Sequence, residues 1–322
     1  PNPQRERYEF ILKNLKQIFP DIKTHFSKDP QRLKDPMEGL NMHAISSKGQ
    51  KVVMNAYNEK NRLNGKEAIV ADNFAVFQKD LAKFFKNAKE GEELLFLVRH
   101  RKDPVKFPND KTRHTSPVHV IRKNDTFHFF LTDSQGAPNA EHPNLHAIKD
   151  VKEQIEAAYE GSGSNAKMEI NYDGGTGRLG DGTNCVILSI REGLEMLRNT
   201  EEVYSWIQKT RVKQTDRTYA VPYLPLKMVK TAQSMTYIEK YLKETKQENT
   251  PVGSSKKVKG ETILEALKRH QFVGTDPKTR KRKLCNGKIA HTYLKYERQI
   301  IAHCILKSQV ASSSKEEVES IA

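Results

Sequence analysis

The segment from Ser116 to Asp133, SPVHVIRKNDTFHFFLTD, constrains the fold more than any other part of the sequence. Two runs of β-branched and aromatic residues flank the turn-forming triplet KND, a pattern typical of an antiparallel hairpin. In a hairpin the numbers of facing residues add up to a near-constant value, roughly 247 to 249 for this turn. His114 and Asp133 fit this value, so we expect them to face each other and the carboxylate to bind the imidazole. The competing base, His119, faces positions 128–130 across the hairpin, none of which is acidic.

A cysteine stands where a polar, glycine-containing loop meets a helical pattern, in GDGTNCVILSIREGLEMLRN (180–199). The apolar residues that follow it recur at helical spacing, at Val186, Ile190, Leu194 and Leu197. Cys185 is therefore expected in the first turn, where the helix terminus stabilises a thiolate and backbone N–H groups can bind an oxyanion. With His114 as base and Asp133 as its orienting acid, the pattern favours a cysteine nucleophile over a small buried residue.

The remaining segments predict an α+β fold with a central, mostly antiparallel sheet and helices on either side of it in the chain. Helices are expected over residues 8–19, 74–88, 148–161, 201–210, 261–272 and 290–307, and further strands over 93–100 and 167–172. We expect an N-terminal helical lobe (1–90), a catalytic core (91–215), a C-terminal region (216–307) with a linker or loop at 243–260, and a disordered tail (308–322).

The composition of the chain limits which kinds of site and partner it can have. The chain has three cysteines and no CxxC pair, which argues against a disulfide framework or a structural zinc site. No apolar run is long enough to span a membrane, and the N-terminus lacks both a signal-like apolar region and an initiator Met, so an export address could have been trimmed away. The net charge of +15 indicates an anionic partner.

Two separated motifs resemble the YopJ family of bacterial effector acetyltransferases, whose core looks like that of the ubiquitin-like-protein proteases. The first is the order His, Asp, Cys, with His114 and Asp133 nineteen residues apart and the nucleophile helix beginning CVILSI. The second is YLPLKMVKTAQSMTYIEKYL (223–242), which is similar to the family's LP…K-H-T-Q-S segment. The resemblance extends from about residue 90 to about residue 305.

The sequence departs from the family pattern in several places. Asp133 stands where Glu is commoner in the family. Thr231 and Ala232 replace a His and a Thr of the second motif. Asn184 and Val186 flank the cysteine where an acid and a Gly are common. Leu179 stands where a Gln usually helps to bind the oxyanion. Backbone N–H groups at Cys185 are therefore the expected oxyanion donors.

The resemblance implies a two-step transfer. Cys185 takes acetyl from acetyl-CoA and passes it to Ser, Thr or Lys side chains of host proteins, among them kinases of immune signalling, with His114 as base and Asp133 orienting it. It also implies secretion into the host cell, to the cytoplasm or nucleus. A further implication is activation by inositol hexakisphosphate (IP6), bound mainly by the C-terminal region (216–307), which is then regulatory. The expected IP6-binding residues are Lys230 and Gln233 from the second motif, with Arg113, Lys268, Arg269, Lys288, Lys295 and Arg298.

Two other functions remain open. A cysteine protease or deubiquitinase would use the same triad and transfer the acyl group to water. A basic nucleic-acid-binding protein would use the charge and the run KTRKRK (278–283), but the sequence has no RNA-binding aromatic motif or zinc-finger spacing.

Overall fold

The computed structural model describes residues 2–19, 44–59, 63, 65–140, 142–178, 185–252, 259–275, 282–286 and 288–321. The chain forms two compact units, one of Pro1–Arg62 with Ala290–Ala322 and one of Leu63–Ile289. The helices are α1 (Pro3–Ile18), α2 (Ser47–Glu59), α3 (Phe74–Asn87), α4 (Ala147–Ser162), α5 (Cys185–Arg198), α6 (Thr200–Thr210), α7 (Leu226–Val229), α8 (Met235–Thr245), α9 (Ile263–Lys268) and α10 (Lys288–Ile321). The strands are β1 (Glu67–Ala71), β2 (Glu93–Arg99), β3 (Thr115–Lys123), β4 (Thr126–Leu131), β5 (Lys167–Asp173), β6 (Val212–Lys213), β7 (Thr218–Val221), β8 (Gln271–Thr275) and β9 (Arg282–Asn286).

The smaller unit is a packing of α1, α2 and most of α10. Aromatic pairs join α10 to the other two elements: the Tyr57 and Tyr296 rings lie 6.3 Å apart, and those of Phe19 and Tyr293 lie 6.4 Å apart. A Cβ at Gly49 would lie 2.5 Å from the Ile18 side chain, so α2 approaches α1 as closely as a glycine permits.

The larger unit is built on a seven-stranded mixed sheet in the order β1-β2-β3-β4-β5-β7-β6. The neighbouring strands β2, β3 and β4 are antiparallel, whereas β1–β2, β4–β5 and β5–β7 are parallel pairs. Strands β8 and β9 form a separate antiparallel pair. The β3–β4 turn is a two-residue turn in which Asn124 and Asp125 have φ angles of 53° and 56°, as a type I′ hairpin requires.

Helices cover both faces of this sheet. On one face α3 and α4 pack on a buried apolar layer that includes Phe96, Val118 and Phe129. On the other face α5 packs on β2 and β3, and a Cβ at Gly193 would lie 2.8 Å from the Leu95 side chain. The N-terminus of α5 is thereby held beside the end of the hairpin where β3 begins and β4 ends.

The α+β class is confirmed, and so are the predicted hairpin and the helices at 8–19, 74–88 and 148–161. Two boundaries differ from the expected ones. Residues 67–87 lie in the larger unit, because β1 pairs with β2, and residues 308–321 continue α10, because this segment contains neither Gly nor Pro to end a helix. In the described part of the chain, no helix is long and apolar enough to cross a membrane.

Candidate active site at the open end of the hairpin

His114 and Asp133 meet where the hairpin opens. His114 immediately precedes β3, Asp133 lies two residues beyond β4, and the imidazole Nε2 is 2.7 Å from Asp133 Oδ2. Burial would lower the pKa of His114, but the charge and hydrogen bond of Asp133, with a hydrogen bond to Cys185, raise it to about 10. Burial would raise the pKa of Asp133, but the charge and hydrogen bond of His114, with the hydrogen bond of Ser116, together lower it. The arrangement is a buried imidazolium–carboxylate pair.

The register places a serine, not the histidine, directly opposite the acid. Lys123 pairs with Thr126 and Val118 with Leu131, and the same register carried outward pairs Ser116 with Asp133. Ser116 Oγ donates to Asp133 Oδ2 over 2.5 Å, and the Gln135 N–H donates to Oδ1 over 2.9 Å. His114 reaches the acid diagonally, two residues before Ser116. The carboxylate is thus held from three sides.

A second histidine extends this hydrogen-bond chain. His100 Nε2 lies 2.6 Å from Ser116 Oγ, and its ring centroid lies 4.8 Å from that of His114. Burial, with the charge of His114, lowers the pKa of His100 to about 3, so the ring is neutral. Since the Ser116 proton goes to Asp133, His100 Nε2–H donates to the serine oxygen. Ligand atoms of His100, His114 and Asp133 lie within 4.8 Å of one another, as in a metal site, but hydrogen bonds within the chain already engage them.

Cys185 completes the constellation. It is the first residue of α5, its side chain is buried, and its hydrogen bond to His114 is one of the interactions that raise the histidine pKa. Ser189 Oγ lies 2.7 Å from the carbonyl oxygens of both Thr115 and Cys185, which ties the first turn of α5 to the start of β3. Because Nε2 of His114 is on the acid, Nδ1 is the nitrogen left for the thiol.

A buried arginine joins the acid to the cysteine helix. Arg178 is fully buried; its guanidinium donates to Asp173 Oδ2 (2.5 Å), to Glu192 Oε1 (2.8 Å) and to the Asp133 carbonyl (3.0 Å). Burial raises the pKa of both Asp173 and Glu192, against the opposing charge of Arg178. The sequence reasoning missed this network, although Glu192 at a core-facing position of α5 is a signal that a buried cation must be near.

His119 has an acid partner, but from outside the hairpin. Its Nε2 lies 2.7 Å from Glu93 Oε2 on β2, and its Nδ1 lies 3.0 Å from Tyr204 Oη. Burial lowers the pKa of His119, in spite of the Glu93 charge. Both ring nitrogens are engaged, so His119 has none to offer a thiol.

The expected anion-binding residues are spread over both units. Lys230 and Gln233 lie on one short segment of the larger unit, which Asn286 holds by hydrogen bonds to the carbonyls of Lys230 and Ala232. Lys230 Nζ is 3.4 Å from Glu195 Oε1, and burial lowers its pKa. Three further members of the expected set lie exposed in the larger unit, namely Arg113, Lys268 and Arg269, the last paired with Glu261.

The smaller unit holds Lys295, with Nζ 3.3 Å from Tyr57 Oη, and the exposed Arg298. Lys288 begins α10, but its side chain lies outside the described ones. Leu179 and Asn184, the departures that bear on the oxyanion, also lie outside the described residues. The structure therefore brings His114, Asp133 and Cys185 together, whereas the described members of the anion-binding set lie on separate segments of the two units.

Comparisons with known protein families and solved structures found similarity over nearly the whole chain. A family model described as YopJ Serine/Threonine acetyltransferase matches residues 14–299. No curated protein matches the sequence. AvrA delL154 with IP6 and CoA has a similar structure, with a TM-score of 0.56 at 13% identity over 94% of this chain and 99% of that one. HopZ1a in complex with IP6 and CoA is similar with a TM-score of 0.61 at 13% identity, over 92% of this chain and 99% of that one. HopZ1a in complex with IP6 has a TM-score of 0.60 at 13% identity, over 92% of this chain and 98% of that one.

Proposed function

The chain belongs to the YopJ Serine/Threonine acetyltransferase family, and from this premise we propose that Cys185 carries the acetyl group between acetyl-CoA and a protein acceptor. The observation that supports the role of Cys185 most directly is its position as the first residue of α5, hydrogen-bonded to a histidine that binds a buried carboxylate. Nucleophile, base and orienting acid are the three parts that covalent acyl transfer needs.

The raised pKa of His114 shapes the proposed mechanism. At neutral pH the imidazole holds a proton. The reacting form of Cys185 is the thiolate, as for any cysteine nucleophile, and backbone N–H groups in the first turn of α5 receive the oxyanion. Sγ forms a bond to the acetyl carbon, the carbon–sulfur bond of acetyl-CoA breaks, and the CoA sulfur leaves with the proton of His114. Neutral His114 then takes a proton from the acceptor hydroxyl or amine, which attacks the thioester and releases Cys185.

We extend the proposal to activation by IP6 and to the acceptor proteins in the host cell. IP6 is bound in the AvrA and HopZ1a structures, and a net charge of +15 suits such a polyanion. Lys230, Gln233 and basic residues of the C-terminal half would bind it, with phosphate displacing Glu195 from Lys230. The acceptors are Ser, Thr or Lys side chains of host signalling proteins, reached after secretion into the host cell.

The test is transfer of radiolabelled acetyl from acetyl-CoA, with IP6 present, to the purified protein and to a host-cell lysate. We expect label on the wild type, part of it released by neutral hydroxylamine as a thioester is, and no transfer by Cys185→Ala. Cys304→Ala is the matched control, since Cys304 is buried in α10 and burial raises its pKa to about 11, which leaves it unreactive.

Labelling of Cys185→Ala at the wild-type level would refute the nucleophile. An unlabelled wild type that cleaves ubiquitin-like conjugates would instead favour the protease alternative.

A further inference from the structure

The loop between β2 and β3, residues 101–113, leads directly into His114, and the structure fixes it firmly. The His100 N–H donates to the His114 carbonyl over 2.8 Å, which closes the loop at its base. Arg99 Nε donates to the Thr112 carbonyl and Arg101 Nε to the Asp110 carbonyl, over 2.6 and 3.0 Å. The loop is therefore a built feature beside the candidate active site.

The acidic side chains of this loop hold the loop itself. Asp110 accepts from the backbone N–H groups of Lys102 and Thr112, at 2.8 and 2.9 Å, and Asp103 accepts from the Val105 N–H at 2.9 Å. The loop's lysines and two of its apolar side chains are exposed instead: Val105 is 88% exposed and Phe107 47% exposed.

A groove of about 580 Å³ lies between this loop, α3 and α4. Apolar side chains form part of its wall, with Phe74 and Ala82 from α3, Ala157 from α4 and Phe107 from the loop. Three exposed lysines line it, Lys79, Lys102 and Lys106, against the single acid Asp103. The groove thus combines apolar wall with an excess of positive charge.

We propose that this groove is an exosite for an acidic segment of the acceptor protein, one that carries an apolar or aromatic side chain. The inference rests on the proposed acetyl transfer. The lysines pair with carboxylates of the segment, and its apolar side chain lies against Phe107 and Phe74. The groove lies on the face of the sheet opposite α5, but its loop ends at His114, so an acceptor tethered here can reach Cys185 by passing around the loop.

The test uses three fluorescein-labelled peptides, EEDFDEE, its uncharged analogue QQNFNQQ and its basic analogue KKKFKKK, and measures binding by fluorescence anisotropy. We expect the acidic peptide to bind most tightly, with affinity falling as salt rises. Lys102→Glu/Lys106→Glu should weaken it about 10-fold and strengthen the basic peptide. Phe107→Ser should weaken the acidic peptide about 10-fold, but not an analogue with Gly in place of Phe.

The matched control is Lys86→Glu/Lys209→Glu, which makes the same change in net charge at exposed lysines outside the groove. An equal loss in both double variants would show a general charge effect and overturn the exosite, as would no preference for the acidic peptide. Preferential binding of the loop to phosphatidylserine vesicles, lost in Val105→Ser, would also overturn it. Acetyl labelling of Cys185 is measured separately in the same variants: intact labelling without peptide preference refutes the exosite alone, and absent labelling in the wild type refutes the proposed function.

Discussion

Replacing Arg178 by methionine should destabilise the larger unit severely. The side chain is fully buried and bridges Asp173, Glu192 and the Asp133 carbonyl. Methionine fills much of the same space but leaves two carboxylates buried without a cation. Removing one partner of a buried ion network costs about 3–5 kcal/mol, a large part of the roughly 5–15 kcal/mol that a domain has.

The effect should depend on pH in a definite direction. Burial already raises the pKa of Asp173 and Glu192, so folding favours their protonated forms. A group with a raised folded pKa contributes stability below its unfolded pKa and loses it as pH rises through the folded value. Without Arg178 both values rise further, so the difference in unfolding free energy between wild type and variant should be larger at pH 8 than at pH 5.

Trp206 supplies the assay. It is the chain's single tryptophan, it lies in α6 of the larger unit, and its Nε1 donates to the Tyr223 carbonyl over 2.7 Å. Its fluorescence in a urea titration therefore reports unfolding of that unit. The matched control is Arg217→Met, an exposed arginine over the Tyr159 ring, for which a loss below about 1 kcal/mol is expected.

Adding Asp173→Asn and Glu192→Gln to Arg178→Met should restore part of the lost stability, because the uncompensated charges are then gone. A loss no larger than that of Arg217→Met, or one that grows as pH falls, would refute the reasoning.

Two further predictions concern the triad and the switch. His114→Ala should lower the rate of acetyl transfer per folded molecule by about 10³-fold or more. His119→Ala should lower stability but leave that rate near wild type, since both ring nitrogens of His119 are bound by Glu93 and Tyr204. The opposite result would identify His119 as the catalytic base. IP6 at 100 times its dissociation constant should stabilise the protein by about 2.7 kcal/mol and raise its melting temperature, and Lys230→Glu should reduce both the shift and the activation; a wild type fully active without IP6 and unshifted by it would remove the proposed switch.

The sequence predicted the parts of the site that depend on local pattern. The turn residues and alternation placed His114 and Asp133 together, and the helical spacing placed Cys185 in a first turn. The predicted register was less accurate. The numbers of facing residues were expected to add up to roughly 247 to 249, and a difference of two in this sum decides whether two residues face each other or lie diagonally. Ser116 occupies the facing position for this reason.

Contacts between segments that are distant in the chain could not be predicted from local sequence patterns. Glu93 reaches His119 because β2 lies beside β3, and Lys230 pairs with Glu195 because its segment packs near α5. Each is a tertiary pairing between side chains that look like ordinary surface charges in the sequence. The parallel pairing of β1 with β2 likewise needs a crossover through α3, which local alternation does not encode.

The type I′ turn at Asn124 and Asp125 has a consequence for the order of folding. A hairpin closes in about 1–10 μs, whereas a ribosome adds roughly 5–20 residues per second. Since Cys185 follows Asp133 by 52 positions, the chain segment bearing the base and its acid is complete several seconds before the cysteine is made. Hairpin contacts are local and those of α5 with β2 and β3 are not, so the sulfur joins its partners last. The nascent protein therefore acquires its candidate nucleophilic thiol only after strands β1 to β5 of the sheet have been synthesised, and before β6 and β7.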